Sequence, residues 1–193
     1  MSSADAASPV DCVVKVGGGL LADTTVFDAV LATVAEAARS RRVLVVPGGG
    51  PFADAVRGVD ARFGLPDSAA HWMAVLAMDQ YAHLIAARMP GAAVIRRPCE
   101  IAAGCIPVLA PFAWLRDVDP LPHSWDVTSD SIAAWVAGRV GARRLILVKP
   151  PGVERPDEAT DPYFARALPA DVEATIVPAD RIEALRSALS RSG

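Results

Sequence analysis

The sequence predicts a three-layer α/β/α sandwich with a mostly parallel central sheet. Two observations lead there. Residues 11–16 (DCVVKV), 43–46 (VLVV) and 144–148 (RLILV) are short apolar runs without polar alternation, as in strands buried on both faces. The order strand, glycine turn, helix also occurs twice in the first third of the chain, which is the connectivity of a parallel sheet.

The first strand, 11–16, runs into Gly17-Gly18-Gly19. Thr24 or Thr25 then caps a helix to about residue 39, with Val26, Ala29, Val30, Val34 and Ala37 near helical spacing. Arg39, Arg41 and Arg42 follow, where cations suit the helix dipole. Strand 43–46 leads through Pro47 into Gly48-Gly49-Gly50, and a helix spans 51–63. Asp67 caps a long helix to residue 89, ended by Pro90-Gly91. Residues 93–95 and 106–109 read as strands, and 111–122 as a proline-rich link. Thr128-Ser129-Asp130 opens a helix to about residue 140, and strand 144–148 meets Lys149-Pro150-Pro151-Gly152. A polar loop over 154–162, a strand over 174–177 and an amphipathic helix over 179–190 complete the chain. Ligands of such sheets bind at the carboxyl ends of the strands, where both glycine turns fall.

The 193 residues suit one domain over 11–193 behind a flexible leader over 1–10. An apolar fraction of 52% with 21% charged residues fits an ordered core and argues against disorder. A net charge of −3 with scattered basic residues gives no nucleic-acid footprint. No apolar run reaches a bilayer span, and residues 1–10 lack the segments of a signal peptide. Cys12, Cys99 and Cys105 are odd in number and form no C-x-x-C. Reduced thiols in a cytoplasmic protein are therefore favoured over a disulfide or metal role.

A triple glycine after a buried strand lets backbone N–H groups approach an anion, and the next helix N-terminus adds partial positive charge. Glycine also serves plain turns, so one such turn leaves both readings open; two strengthen the anion. The spacing fits neither G-x-G-x-x-G nor G-x-x-x-x-G-K-[ST], which disfavours a dinucleotide fold or a P-loop. Lys15 and Lys149 are the only lysines in an arginine-rich chain. A lysine ending a buried strand is costly unless it meets an anion, and phosphoryl transfer needs such a charge. A lysine snorkelling from the strand end is the alternative. In the long helix, Asp79 and His83 are four residues apart and share a face with His71; a hydrogen bond or interface role is favoured over a metal pair.

In order, VVKVGGGLL, VLVVPGGGPFADAVR, WDVTSDSIAAWVA and RLILVKPPGV resemble the motifs of the amino acid kinase superfamily over roughly residues 13–153. HWMAVLAMDQYAHLIA and SWDVTSDSIAA are similar to the small kinases of methanofuran-type cofactor synthesis, which phosphorylate an aminomethylfuran-methyl phosphate to its diphosphate. The resemblance implies the amino acid kinase fold, with an acceptor-side lobe over 11–142 and a shortened nucleotide-side lobe over 143–193. It implies ATP and Mg²⁺ as cofactors and a small phosphoryl acceptor. The long helix has more apolar surface than one small domain readily covers, which predicts a homo-oligomer, while charge and hydropathy predict no nucleic-acid or membrane partner. Lys15 resembles the lysine that bridges the transferring group, and Asp130 the aspartate that orients the lysines. Lys149 then stands as a second cation. Gly17, Gly18, Gly19 and Gly152 fall on the nucleotide side. Gly48, Gly49, Gly50, Asp54, Arg57, Asp79 and Ser129 fall on the acceptor side, with Asp79 a partner for the acceptor's ammonium. No residue is assigned to bind a metal.

Two departures from the family stand out. Gly19 replaces the usual serine, and Lys149-Pro150-Pro151-Gly152 replaces an acid-bearing nucleotide loop. They keep open a catalytically inactive nucleotide- or anion-binding subunit on the same fold. A kinase of another phosphate or carboxylate acceptor is the further alternative.

Overall fold

A computed structural model describes residues 10–152 and 159–191. Six strands form one sheet: β1 (Cys12–Val16), β2 (Val43–Pro47), β3 (Ala92–Ile95), β4 (Ile106–Leu109), β5 (Arg144–Lys149) and β6 (Glu173–Pro178). Their order is β3-β4-β2-β1-β5-β6, and every neighbouring pair is parallel, so the sheet is more uniform than the sequence suggests. The helices are α1 (Thr24–Ala37), α2 (Gly50–Phe63), α3 (Asp67–Arg88), α4 (Phe112–Val118), α5 (Ser129–Arg139), α6 (Phe164–Ala167) and α7 (Ile182–Ser190).

Alternation along the buried strands divides the core into two layers. Val13, Leu44, Val46, Leu145 and Leu147 pack towards α4, α5 and α6, whereas Cys12, Val14, Val16, Ile146 and Val148 pack towards α1 and α7. Helix α3 serves both layers, giving Val75 and Met78 to the first and Tyr81, Ala82 and Ile85 to the second. This is the expected three-layer sandwich.

Several local expectations need correction. Asp23, not Thr24 or Thr25, caps α1; its Oδ1 accepts from Thr25 N at 2.9 Å and Val26 N at 3.1 Å. Asp67 lies inside the first turn of α3, behind Pro66 at the cap. The proline-rich link contains α4, with Pro111 at its N-cap, where a missing N–H costs nothing. Val10, assigned to the leader, is buried in the core, while residues 1–9 and residues 153–158, which take in most of the polar loop over 154–162, lie outside the described residues. Among the described residues, no helix is long and apolar enough to cross a membrane, and all three cysteines are free.

Candidate functional site

Strand parity decides where the lysines point. Lys15 shares the side of Val13 on β1, and Lys149 shares that of Leu145 and Leu147 on β5. Lys15 pairs in register with Leu147, so Lys149 stands one two-residue step further along the adjacent strand. Both ammonium groups therefore emerge on one face at the carboxyl end of the sheet, where α5 begins. Lys15 Nζ lies 2.8 Å from Asp130 Oδ1, and Lys149 Nζ donates to Asp130 Oδ2 at 2.5 Å. The Lys15 contact is ionic, without a well-angled hydrogen bond to Oδ1. Lys15, Asp130 and Lys149 are 4%, 4% and 9% exposed.

Two buried ammoniums share one carboxylate, which leaves an excess positive charge at the base of a cleft. Burial pushes the Asp130 pKa up, but the charges of Lys15 and Lys149 outweigh it and hold the carboxyl below its usual range. Burial, aided by the charge of Lys15, lowers Lys149 against the pull of Asp130. Such a triad is suited to receive an anion.

The glycine turns meet directly above it. A Cβ on Gly18 would stand 2.1 Å from Gly50 N, so the turns touch only because position 18 carries no side chain. Gly50 also has φ +57°, a left-handed conformation that glycine adopts without strain. Gly17 N donates to Val148 O at 2.9 Å, Gly48 N to Val16 O at 2.8 Å, and the Tyr81 hydroxyl to Gly17 O at 3.1 Å. Gly19 backs onto Pro150, whose Cγ would lie 2.5 Å from an added Cβ. The two departures from the family motif are therefore one: the Pro150 ring fills the space that a side chain at position 19 requires.

The cleft encloses about 390 Å³. Lys15, Asp130, Lys149, Gly18, Gly19, Gly49 and Gly50 line its base, and Asp54, Arg57 and Ser129 also line it, as the sequence anticipates. Gly17 and Gly48 are not among its lining residues; they fasten the turns to the strand ends. Gly152 is exposed, has φ +84° and lies outside the cleft.

Asp79 requires a correction. It does not line the cleft; its Oδ1 accepts from Phe112 N at 3.0 Å and so fastens the start of α4. Burial raises its pKa against the pull of that bond. Asp79, His83 and His71 do not converge: His71 faces the cleft, whereas His83 is exposed and stays near enough to act electrostatically on Asp79. Among the described residues no cluster of three or more His, Cys, Asp or Glu is arranged to hold a metal.

Sequence reasoning missed three contributors. Asp161 accepts from Thr128 N (2.8 Å), Thr128 Oγ1 (2.7 Å) and Ser131 N (3.0 Å), and also from Ser131 Oγ. One carboxylate thus pins the first turn of α5 and, with it, Asp130. Trp125 lines the cleft with its Nε1 donating to Asp60 Oδ2 at 2.7 Å, and the Arg57 guanidinium lies 4.2 Å above its ring. His71, whose only motif context is the long helix, lines the wall and stacks on His123 at 4.3 Å. The hydroxyl-rich sequence Thr128-Ser129-Asp130-Ser131 is the one local sign that α5 needs an acceptor from elsewhere.

Comparison with known proteins bears on this geometry. The family model for the amino acid kinase family matches residues 12–153. The chain is 29% identical over 140 residues to (5-(aminomethyl)furan-3-yl)methyl phosphate kinase of Methanocaldococcus jannaschii, spanning 70% of this chain but only 63% of that protein. It resembles the crystal structure of uridylate kinase from Archaeoglobus fulgidus with a TM-score of 0.70 and 16% identity, over 94% of this chain and 96% of the other. It likewise resembles UMP kinase from Ureaplasma parvum with a TM-score of 0.66 and 14% identity, over 94% and 95%. At these identities the structural likeness bears on the fold alone.

Proposed function

The chain belongs to the amino acid kinase family, and on that premise we propose that it transfers the γ-phosphoryl group of ATP to a small phosphate-bearing acceptor. The acceptor we propose is an aminomethylfuran-methyl phosphate, converted to its diphosphate. The observation that carries the reading is the buried Lys15–Asp130–Lys149 triad, with its excess positive charge between two glycine turns. The relative from Methanocaldococcus jannaschii supports the choice of acceptor.

Those turns, Cβ-free and sewn to the strand ends, suit the phosphates of ATP. The acceptor then occupies the part of the cleft lined by α2, α3 and the segment before α5, with ATP on the β5–β6 side. Mg²⁺ would arrive chelated by the phosphates of ATP, whose charge it helps to neutralise. The one carboxylate of the triad is already shared by two lysines, so the described residues offer no cage of three or more ligands for the metal.

In the reaction an acceptor phosphate oxygen attacks the γ-phosphorus, and the bond from that phosphorus to the β–γ bridging oxygen breaks to release ADP. Lys15 faces the charge of the transferring group, Lys149 adds a second cation, and Asp130 fixes both. Asp130 is a poor general base, being held ionised below its usual range. A phosphate acceptor needs none, because it is largely deprotonated at neutral pH, with a second pKa of about 6. This favours a phosphate acceptor over a hydroxyl. The intact triad likewise favours an enzyme over an inactive binding subunit.

Calorimetric titration with ATP and Mg²⁺, followed by ³¹P NMR of mixtures with the furan phosphate, UMP or acetylglutamate, tests the reading. A new diphosphate resonance from the furan phosphate is expected. No nucleotide binding, or binding without turnover of any acceptor, counts against it. We further propose a homo-oligomer in a cytoplasmic setting, joined through Val59, Phe63 and Leu76 on α2 and α3, of which Phe63 is 66% exposed.

A further inference from the structure

We propose that His71 binds the amino end of the acceptor, its neutral imidazole taking a hydrogen bond from an acceptor N–H. The inference rests on the acceptor reading above and assigns to this chain a contact that replaces the discarded one from Asp79.

His71 is 8% exposed and lines the cleft, yet neither ring nitrogen has a hydrogen-bond partner among the described residues. Its nitrogens are not among the fully buried unpartnered atoms, so they open to the cleft and are free to meet a ligand there. The ring is also held in place. It stacks on His123 with an interplanar angle of 19° and meets the edge of Trp72 at 4.7 Å. His123 is itself fixed between Ser68 Oγ and Asp119 Oδ1, each 2.8 Å away. The His71 nitrogens are therefore presented to the cleft at little further entropic cost.

Charge distinguishes the two ends of the cleft. The lysines and glycine turns suit phosphate. Burial first, and then the neighbouring His123, lower the His71 pKa to about 4, so at neutral pH it offers a lone pair and not a cation. Such a ring does not attract a phosphate, but it accepts from an ammonium. Asp67, one helical turn before His71 on α3, also lines the cleft and favours a positive group there.

The test compares two acceptors, the aminomethylfuran-methyl phosphate and furan-3-ylmethyl phosphate, which lacks the aminomethyl group. Wild-type protein and the His71→Phe variant are each assayed for kcat and KM. Phenylalanine keeps the flat aromatic shape and removes both nitrogens. Wild type should prefer the amine by about tenfold in kcat/KM, equivalent to ~1.4 kcal/mol. In H71F the KM for the amine should rise about tenfold and the preference fall to about one, with the KM for ATP unchanged. A simple loss of fold does not erase a preference between two substrates. If wild type turns over and H71F keeps the preference, the assignment is overturned. No turnover of either acceptor by wild type overturns the functional reading itself. As a check independent of the variant, ¹⁵N-histidine spectra of wild type should show His71 signals moved by the amine and less by the desamino phosphate; signals that stay still at saturation also overturn it.

Discussion

Replacing Asp130 by Asn keeps the shape of the side chain while removing the charge shared by Lys15 and Lys149. Breaking a buried pair in this way costs about 3–5 kcal/mol, because an uncompensated charge is left behind. The lysines set a ceiling on that cost, since either can shed its proton. Discharging a lysine of ordinary pKa about 10.4 costs ~4.6 kcal/mol at pH 7 but only ~1.9 kcal/mol at pH 9, at about 1.36 kcal/mol per unit. In the variant Lys149, already lowered by burial, binds its proton more weakly than it does in the unfolded chain, so stability rises with pH towards the ordinary lysine value. We therefore expect a deficit of about 3–5 kcal/mol at pH 7, shrinking to about 2 kcal/mol at pH 9. For a chain of this size that is a Tm lowered by roughly 6–20 °C at pH 7. Urea denaturation of both proteins at the two pH values measures the deficit, and kcat should fall at least a hundredfold, about 2.7 kcal/mol of barrier. A variant as stable as wild type at pH 7, or a deficit that does not shrink by pH 9, refutes the view that Asp130 compensates both lysines.

Acid should act through His71. Between its ordinary value of 6.5 and its folded value of about 4, the unfolded chain holds a proton on it that the folded chain lacks. Stability then falls as pH drops across that window, by at most ~3 kcal/mol and less where solvent screens the ring, and H71F should flatten the slope in denaturant titrations. Gly18→Ala should force apart the two turns, since its Cβ would meet Gly50 N at 2.1 Å. Calorimetry should show a loss of about 1–3 kcal/mol, with ATP binding weakened; an alanine variant with wild-type Tm and affinity would contradict the touching turns. Asp161→Asn leaves one acceptor oxygen for four donors on Thr128 and Ser131. It should cost about 1–3 kcal/mol and lower kcat more than it raises either KM, as steady-state kinetics will show.

The elements legible in the sequence are those fixed by local chemistry. Strands β1, β2 and β5 announce themselves because burial on both faces demands unbroken apolar runs. Thr128 announces α5, since a hydroxyl cap satisfies an amide only a few residues away. Helix α4 was hidden because proline ordinarily argues against helix, and here Pro111 sits at the one place where it does no harm. Asp79 misled for a related reason. Its partner, the Phe112 amide, is 33 residues away, and no periodicity within α3 reveals it.

By itself the sequence determined that two glycine turns follow two buried strands, that each of its two lysines ends a strand, and that Asp130 begins a helix. Those are facts of spacing and burial within a dozen residues. Only the tertiary structure decided that the lysines lie on the same face and share one carboxylate, because that follows from register between strands 132 residues apart in the chain. It also decided that Gly19 is glycine on account of Pro150, that Asp161 holds α5, and that His71 rather than Asp79 faces the cleft. Each depends on contacts between distant segments, and the energy of such a contact is not written in the residues on either side of it.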